Sequence, residues 1–350
     1  QCVTEWLDGP FLPGDTTQLS RGLICHGEFM ASGVDKTAWG VVLSDLPVGA
    51  TSLKVSEAKN WNVGDKLIVT GTDSILGHDV RNHKYQSEFV TVTGLLAASD
   101  GTTVTFSPPL QYRHFRWRSD LPFHVGNLTR NITFRSRDTS TIANRGHLMF
   151  MSSMVHLANV AVEGCGRTDG SRPVTDPRMD AYGELVPGSD ANVRARYAVH
   201  WHRVGQLTPP AICTGCVVDG SPKWGFLVHA SNAHLRDCIA TRCYGSGFAT
   251  EEGQERGSMD RCLSVLNRGY GDVEVSTDAD HGRADVGDWG IAGDGFWNHS
   301  GLMAITNCVA CDNSGRGFGQ FIRWLSPAVE DRHMHAHEGA PRHIVGHAVA

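Results

Sequence analysis

The sequence predicts an all-β chain, a right-handed parallel β-helix with a small N-terminal β cap. Three observations carry this. Arg196-Tyr-Ala-Val-His-Trp-His-Arg-Val-Gly205 is echoed by Gly225-Phe-Leu-Val-His-Ala230, Gly247-Phe-Ala-Thr-Glu-Glu252 and Gly295-Phe-Trp-Asn-His-Ser300. Self-similarity at a period of about two dozen residues marks a solenoid, whose repeats bury their apolar faces against one another. Within each echo the side chains alternate as strands require. Finally, Cys216, Cys238, Cys262 and Cys308 recur at equivalent places, spaced 22, 24 and 46 residues apart, with Val160 in the same place one coil earlier. An inward stack of small apolar side chains explains all five, because buried free cysteine behaves as a small hydrophobe.

Composition agrees. Of 350 residues 40 are glycine, and only 19% are charged, which fits short strands with tight turns and excludes coiled coil and disorder. A net charge of -6 gives no reason to expect nucleic acid or an anionic membrane as partner. No apolar run approaches the roughly 18 residues of a membrane span. Gln1 reads as a trimmed N-terminus, and ten cysteines suit a secreted setting. Cys2 with Cys25 and Cys165 with Cys213 are the first candidates for disulfides, although spacing alone does not fix pairing.

Taken in order, residues 1–45 hold short apolar runs such as Ile24-Cys-His-Gly-Glu-Phe29, and are expected to form the cap. Residues 46–325 are expected to form the β-helix. Its early strands are Ser52–Ser56, Asp65–Thr70, Glu88–Thr93 and Thr103–Phe106, and regular coils start near Leu128. Two insertions, near 166–195 and 270–293, are rich in Asp and Gly and each directly precedes an echo strand. Both therefore leave the solenoid at one corner and can wall the same outer face. Residues 326–350 form a His-rich tail with no assigned coil.

The candidate chemistry lies on that outer face. Sliding the echoes over one another places Tyr197, Phe226, Phe248 and Phe296 in one column and His200, His229, Glu251 and His299 in another. His200 and His202 share a strand face, about 7 Å apart, and His229 is expected about 5 Å away on the next coil. Three convergent imidazoles can hold a transition-metal ion, and one can instead serve as a general base. A histidine ladder stacked for stability is the plainer alternative. Glu251 can donate a proton to a glycosidic oxygen if its surroundings raise its pKa. Arg81, Arg196 and Arg203 can each pair with a uronate carboxylate, and Trp297 and His299 complete the expected substrate contacts.

Several segments resemble one group of secreted proteins: Trp61-Asn-Val-Gly-Asp-Lys-Leu-Ile-Val69, Tyr85-Gln-Ser-Glu88, Leu128-Thr-Arg-Asn131, Gly146-His147, Arg196–His202 and Gly293-Asp-Gly-Phe-Trp297. The group comprises the cell-migration-inducing hyaluronan-binding protein, its transmembrane hyaluronidase relative and their bacterial cousins, with the bacterial type most similar. Its members typically begin with a domain named for eight glycines, of which only the last strands, at about 24–45, are matched here. The paired histidines usually stand there as His-Phe-His, so Trp201 departs from the pattern. The resemblance implies a parallel β-helix outside the cell, breakdown or binding of hyaluronan-like glycans, and a link to calcium.

The expected function is a secreted, monomeric enzyme that degrades an acidic polysaccharide by hydrolysis or elimination. His200, His202, His229 and Glu251 are its expected catalytic set, the three histidines binding a divalent metal or positioning the substrate and Glu251 serving as acid/base. The competing classes are a glycan-binding module without catalysis and a metal-dependent, possibly redox, enzyme using the same histidines.

Overall fold

The computed structural model describes residues 1–320 apart from Pro10, Pro13, 73–84, Trp117, Ser119 and 270–289. Arg81, most of the second insertion and the His-rich tail lie outside the described residues. The described chain is a parallel β-helix whose coils visit three ladders in the same order. The first ladder has seven strands: Cys2–Trp6, Ile132–Ser136, Val160–Glu163, Val217–Asp219, Ile239–Thr241, Leu263–Val265 and Val309–Cys311. The second runs through Leu23–Cys25, Leu148–Phe150, Val199–Gly205, Phe226–Arg236, Ser246–Thr250, Asp294–Asn298 and Phe318–Gln320. The third holds Phe29–Ser32, Val155–Ala158, Ala211–Thr214, Arg256–Asp260 and Met303–Thr306. Phe226–Arg236 belongs to the last two ladders, its first half pairing with Val199–Gly205 and its second with Ala211–Thr214.

Local sequence explains the corners. Asn159, Gly215, Asp237, Arg261 and Asn307 each precede a first-ladder strand, and each has φ between 50° and 63°. Gly164, Arg242, Leu266 and Asp312 follow such strands with φ between 53° and 58°. A single left-handed residue turns the chain sharply, and Asn, Asp and Gly adopt that conformation at the lowest cost. The first-ladder strands are therefore short and bracketed.

Two boundaries differ from expectation. Cys2–Trp6, Leu23–Cys25 and Phe29–Ser32 pair in parallel with coil strands, so the N-terminal segment covers the end of the solenoid as its first coil. The strands Trp39–Val41, Ser52–Val55, Lys66–Val69, Glu88–Ala98, Gly101–Ser107 and His124–Asn127, all but the first within the stretch expected from residue 46 to begin the parallel coils, instead form a six-stranded antiparallel sheet inserted between the first and second coils. Alternation read from sequence gives strands but not their direction. This sheet lays Trp39, Ile68 and Leu128 against Ala161, Val217, Ile239 and Leu263, covering the outer face of the first ladder.

Inside the coils Phe226, Phe248, Phe296 and Phe318 stack in register, with ring centroids 5.1, 4.8 and 4.9 Å apart. Parallel strands lie about 4.8 Å apart, so identical residues in register meet face to face. The column of Val160, Cys216, Cys238, Cys262 and Cys308 is present and buried throughout. All ten cysteines are free. The expected Cys2–Cys25 and Cys165–Cys213 bridges are not formed. Cys2 and Cys25 stand on different ladders, Cys165 lies beside Ser136 and the Phe134 carbonyl, and Cys213 Sγ is 3.7 Å from Cys238 Sγ. Burial pushes the Cys165 and Cys243 thiols up to about 12.

Phe248→Ala removes the middle of the ring stack, and such truncations cost about 3–5 kcal/mol; the urea midpoint of the variant should fall accordingly, and an unchanged midpoint would contradict the stack. Thiol titration of the native protein should find one fast group, the exposed Cys2, with all ten reacting only after unfolding without reductant.

Candidate functional site

The second ladder carries the candidate site, because both insertions enter it from the first. Its register is His202 opposite His229, with Val199 opposite Phe226. Continued through Val228 opposite Thr250 and Ala249 opposite Trp297, the outward column reads His202, His229, Glu251 and His299. The expected column began with His200, two residues earlier. A slip of two keeps every side chain on its face, so His200 still faces outward. Tyr197, expected inward, instead packs outside the coil against Trp224, with ring centroids 4.9 Å apart. Aromatic matching had aligned it with Phe226, whose place Val199 holds.

The three imidazoles converge. His202 Nδ1 lies 3.3 Å from His200 Nε2 and 3.2 Å from His229 Nδ1. The His200 ring is fully buried, and its Nδ1 donates to the Ala195 carbonyl at 3.2 Å. Burial, reinforced by the neighbouring imidazoles, holds His200 well below the ordinary histidine value. Burial and the nearby His229 and Arg203 lower His202 to about 4. Both rings are therefore neutral at pH 7. His229 lies between two carboxylates: Glu251 Oε2 is 3.3 Å from Nδ1, and Glu252 Oε1 is 2.8 Å from Nε2. Burial raises Glu252, but the hydrogen bond from His229 and the charge of Arg203 outweigh it and hold the carboxyl below its ordinary value.

Above this floor opens a cavity of about 400 Å³. Arg194 and Ala195, at the end of the first insertion, form one side. Trp224 and Trp297, stacked with centroids 5.7 Å apart, form an aromatic side with Tyr197. Trp224 Nε1 donates to the Gly290 carbonyl at 2.8 Å, tying that side to the end of the second insertion. Arg203 stands at the rim, its side chain 65% exposed and 3.2 Å from Glu252. His299 donates from Nδ1 to the Glu251 carbonyl at 3.0 Å and packs on Trp297. A larger recess of about 560 Å³ lies beside the first ladder, but Asp219 and Arg242 within it already satisfy each other in a bidentate pair.

Some expected contributors stand elsewhere. Arg196 is buried, and its guanidinium donates to the carbonyls of Arg194 and Thr17 rather than lining the cavity. Its position beside the echo strand gave no sign of that inward turn. Asp294, at the start of its echo strand, is buried at the corner and accepts the Arg316 N–H at 2.7 Å. Glu255 has a role that sequence reasoning missed. Its carboxylate accepts the backbone N–H groups of Ala230, Glu251, Glu252 and Gly253 at 3.1, 3.3, 2.7 and 2.8 Å. It fixes the turn that presents Glu251 and Glu252. Trp224 was also missed, since it falls one place before its echo strand.

Among the described residues, His200, His202 and His229 are the one group of three or more His, Cys, Asp or Glu side chains arranged to hold an ion, with ligand atoms within 4.8 Å of one another. These are nitrogen donors, which suit a transition metal, whereas calcium requires oxygen ligands. No helix of the described residues is long and apolar enough to cross a membrane.

No family model matches the sequence. Human fibrocystin-L is 26% identical over 249 residues, which covers 63% of this chain and 6% of that protein. A G8 domain-containing protein of Dictyostelium discoideum is 24% identical over 233 residues, covering 66% and 14%. The mouse cell migration-inducing and hyaluronan-binding protein is 26% identical over 252 residues, covering 63% and 16%. The chain is a distant relative of these proteins. It spans only a small part of each. Among solved structures, the tailspike protein gp49 of Pseudomonas phage LKA1 shares 15% identity over 91% of this chain and 46% of its own, with a TM-score of 0.23. The gp54 tailspike of Acinetobacter baumannii bacteriophage AP22, solved with a capsular saccharide, shares 12% identity over 85% and 47%, with a TM-score of 0.23.

Burial pushes Asp294 from 3.8 up to about 6. Its folded-state pKa is raised, so its contribution to stability is fully present below the unfolded value and is lost as pH rises through 6. Asp294→Asn should therefore gain stability relative to the parent between pH 4 and pH 7. A difference in unfolding midpoint that stays constant over that range would refute the assignment.

Proposed function

We propose that this chain binds an acidic polysaccharide in the outer groove, outside the cell, and cleaves its glycosidic bonds. The observation that carries this reading is the Glu251–His229 pair, 3.3 Å apart, on the floor of a cavity bounded by stacked tryptophans and a rim arginine. Each part answers a need of the substrate. Trp224 and Trp297, themselves buried and stacked on each other, give that side of the groove a rigid apolar backing. Arg203 is exposed and fork-shaped, suited to a uronate carboxylate. Glu251 is the proton-transfer group, 20% exposed and backed by His229. Glu252 is bonded to both His229 and Arg203, so its part is to orient them. The mouse relative named for hyaluronan binding makes hyaluronan the first substrate to try.

Hydrolysis and elimination part at the product, because elimination leaves an unsaturated uronate. Incubation with hyaluronan and other acidic glycans, followed by product analysis, should show shortened chains. General acid–base groups contribute about 10²–10⁴-fold, so Glu251→Gln should slow cleavage by that factor while circular dichroism stays unchanged. Parent-like cleavage by the variant would remove Glu251 from the reaction. Binding by the parent without any cleavage would make the groove a carbohydrate-binding module instead.

A further inference from the structure

The histidine cluster carries a second inference, which rests on proton bookkeeping and not on the glycan reading. Ala195 offers a carbonyl, which only accepts, so His200 Nδ1 must carry its proton and Nε2 presents a lone pair. His229 donates through Nε2 to Glu252, so in the neutral ring its Nδ1 presents a lone pair as well. His202 Nδ1 faces both, at 3.3 and 3.2 Å. One proton on His202 would have to serve two nitrogens, so one of the two close nitrogen pairs is left with lone pair facing lone pair. Several electron pairs thus converge on a space with too few protons to pair them. Unmatched polar groups of this kind are costly when partly or wholly buried.

A cation resolves the conflict, and two of the three nitrogen–nitrogen edges suit one, with all three ligand atoms within 4.8 Å of one another. With metal–nitrogen bonds of about 2.0–2.1 Å in a tetrahedron, the nitrogens stand about 3.3–3.4 Å apart. The two contacts at His202 match that edge. The outer supports match too. Histidine ligands ordinarily donate their second ring N–H to a carboxylate or a backbone carbonyl, as His229 does to Glu252 and His200 to Ala195. We propose that His200 Nε2, His202 Nδ1 and His229 Nδ1 bind one divalent transition-metal ion of the zinc type, leaving a further coordination position beside Glu251. Three histidines with an open position are the pattern of a metal that acts on a bound water or substrate oxygen, not of a closed structural site.

The full chain, stripped with chelator and checked for folding by circular dichroism, would be titrated with Zn²⁺ and separately with Co²⁺. The expected result is one ion per chain by atomic spectroscopy, with visible cobalt absorption of a low-coordinate nitrogen site. His202→Gln and His229→Gln should abolish the visible band, while Glu252→Gln should weaken binding about 10- to 100-fold. His333, His335, His337, His343 and His347 of the C-terminal tail can bind metal on their own, so a variant with these five changed to Ala serves as control and should keep the band. Failure of the folded parent to take up one ion, or uptake that follows the tail and ignores His202, would overturn the proposal. Because the readout is metal content and spectrum, the result separates cleanly from any test of glycan cleavage.

Discussion

Hydrogen bonding between coils in strict parallel register is the constraint on which the molecule depends. Once Val199 stands opposite Phe226 and Phe226 opposite Phe248, every side chain on the second ladder has a defined neighbour above and below, about 4.8 Å away. The inward half of that pattern produces the phenylalanine stack. The outward half produces the histidine and glutamate row. Core and site are two sides of the same strands, so a shift in one moves the other.

The row is costly in isolation, and the surroundings show how the cost is met. His200 has no access to solvent and stays neutral, which avoids the larger penalty of a buried charge. Glu255 is buried too, and four backbone N–H groups converge on its carboxylate, the kind of charge-assisted bonding that makes burial tolerable. Those bonds also freeze the turn from Glu251 to Glu255. The groove therefore presents its acidic groups in one arrangement, as sites that act on a ligand require.

Much of this was legible in the sequence, and the exceptions have physical causes. The repeat of aromatic, glycine and histidine positions revealed the solenoid, the outer face and the corner from which the insertions leave. It also placed His202, His229, Glu251 and His299 together, although the column was begun at His200. That error came from matching Tyr197 to Phe226 by chemistry. Backbone pairing prefers whichever residue fills the interior, and the smaller Val199 does so. The antiparallel sheet at 39–127 was hidden because alternation has the same period in both strand directions. Arg196 misled because a charged residue near a site looks like a reagent, and only the fold shows that it, like Glu255, is committed to backbone groups. The cysteine column was recoverable because its spacing followed the coils, while the guessed bridges had no such support.

The turn between first and second ladders has one further implication. Both long insertions join the coil at that corner, while the strands on either side of it keep their ladder bonds with the coils above and below. Loop length and composition at this point are thus uncoupled from the spine. Descendants of such a chain can exchange one rim for another and meet new ligands while the imidazole and carboxylate groups beneath stay where they are.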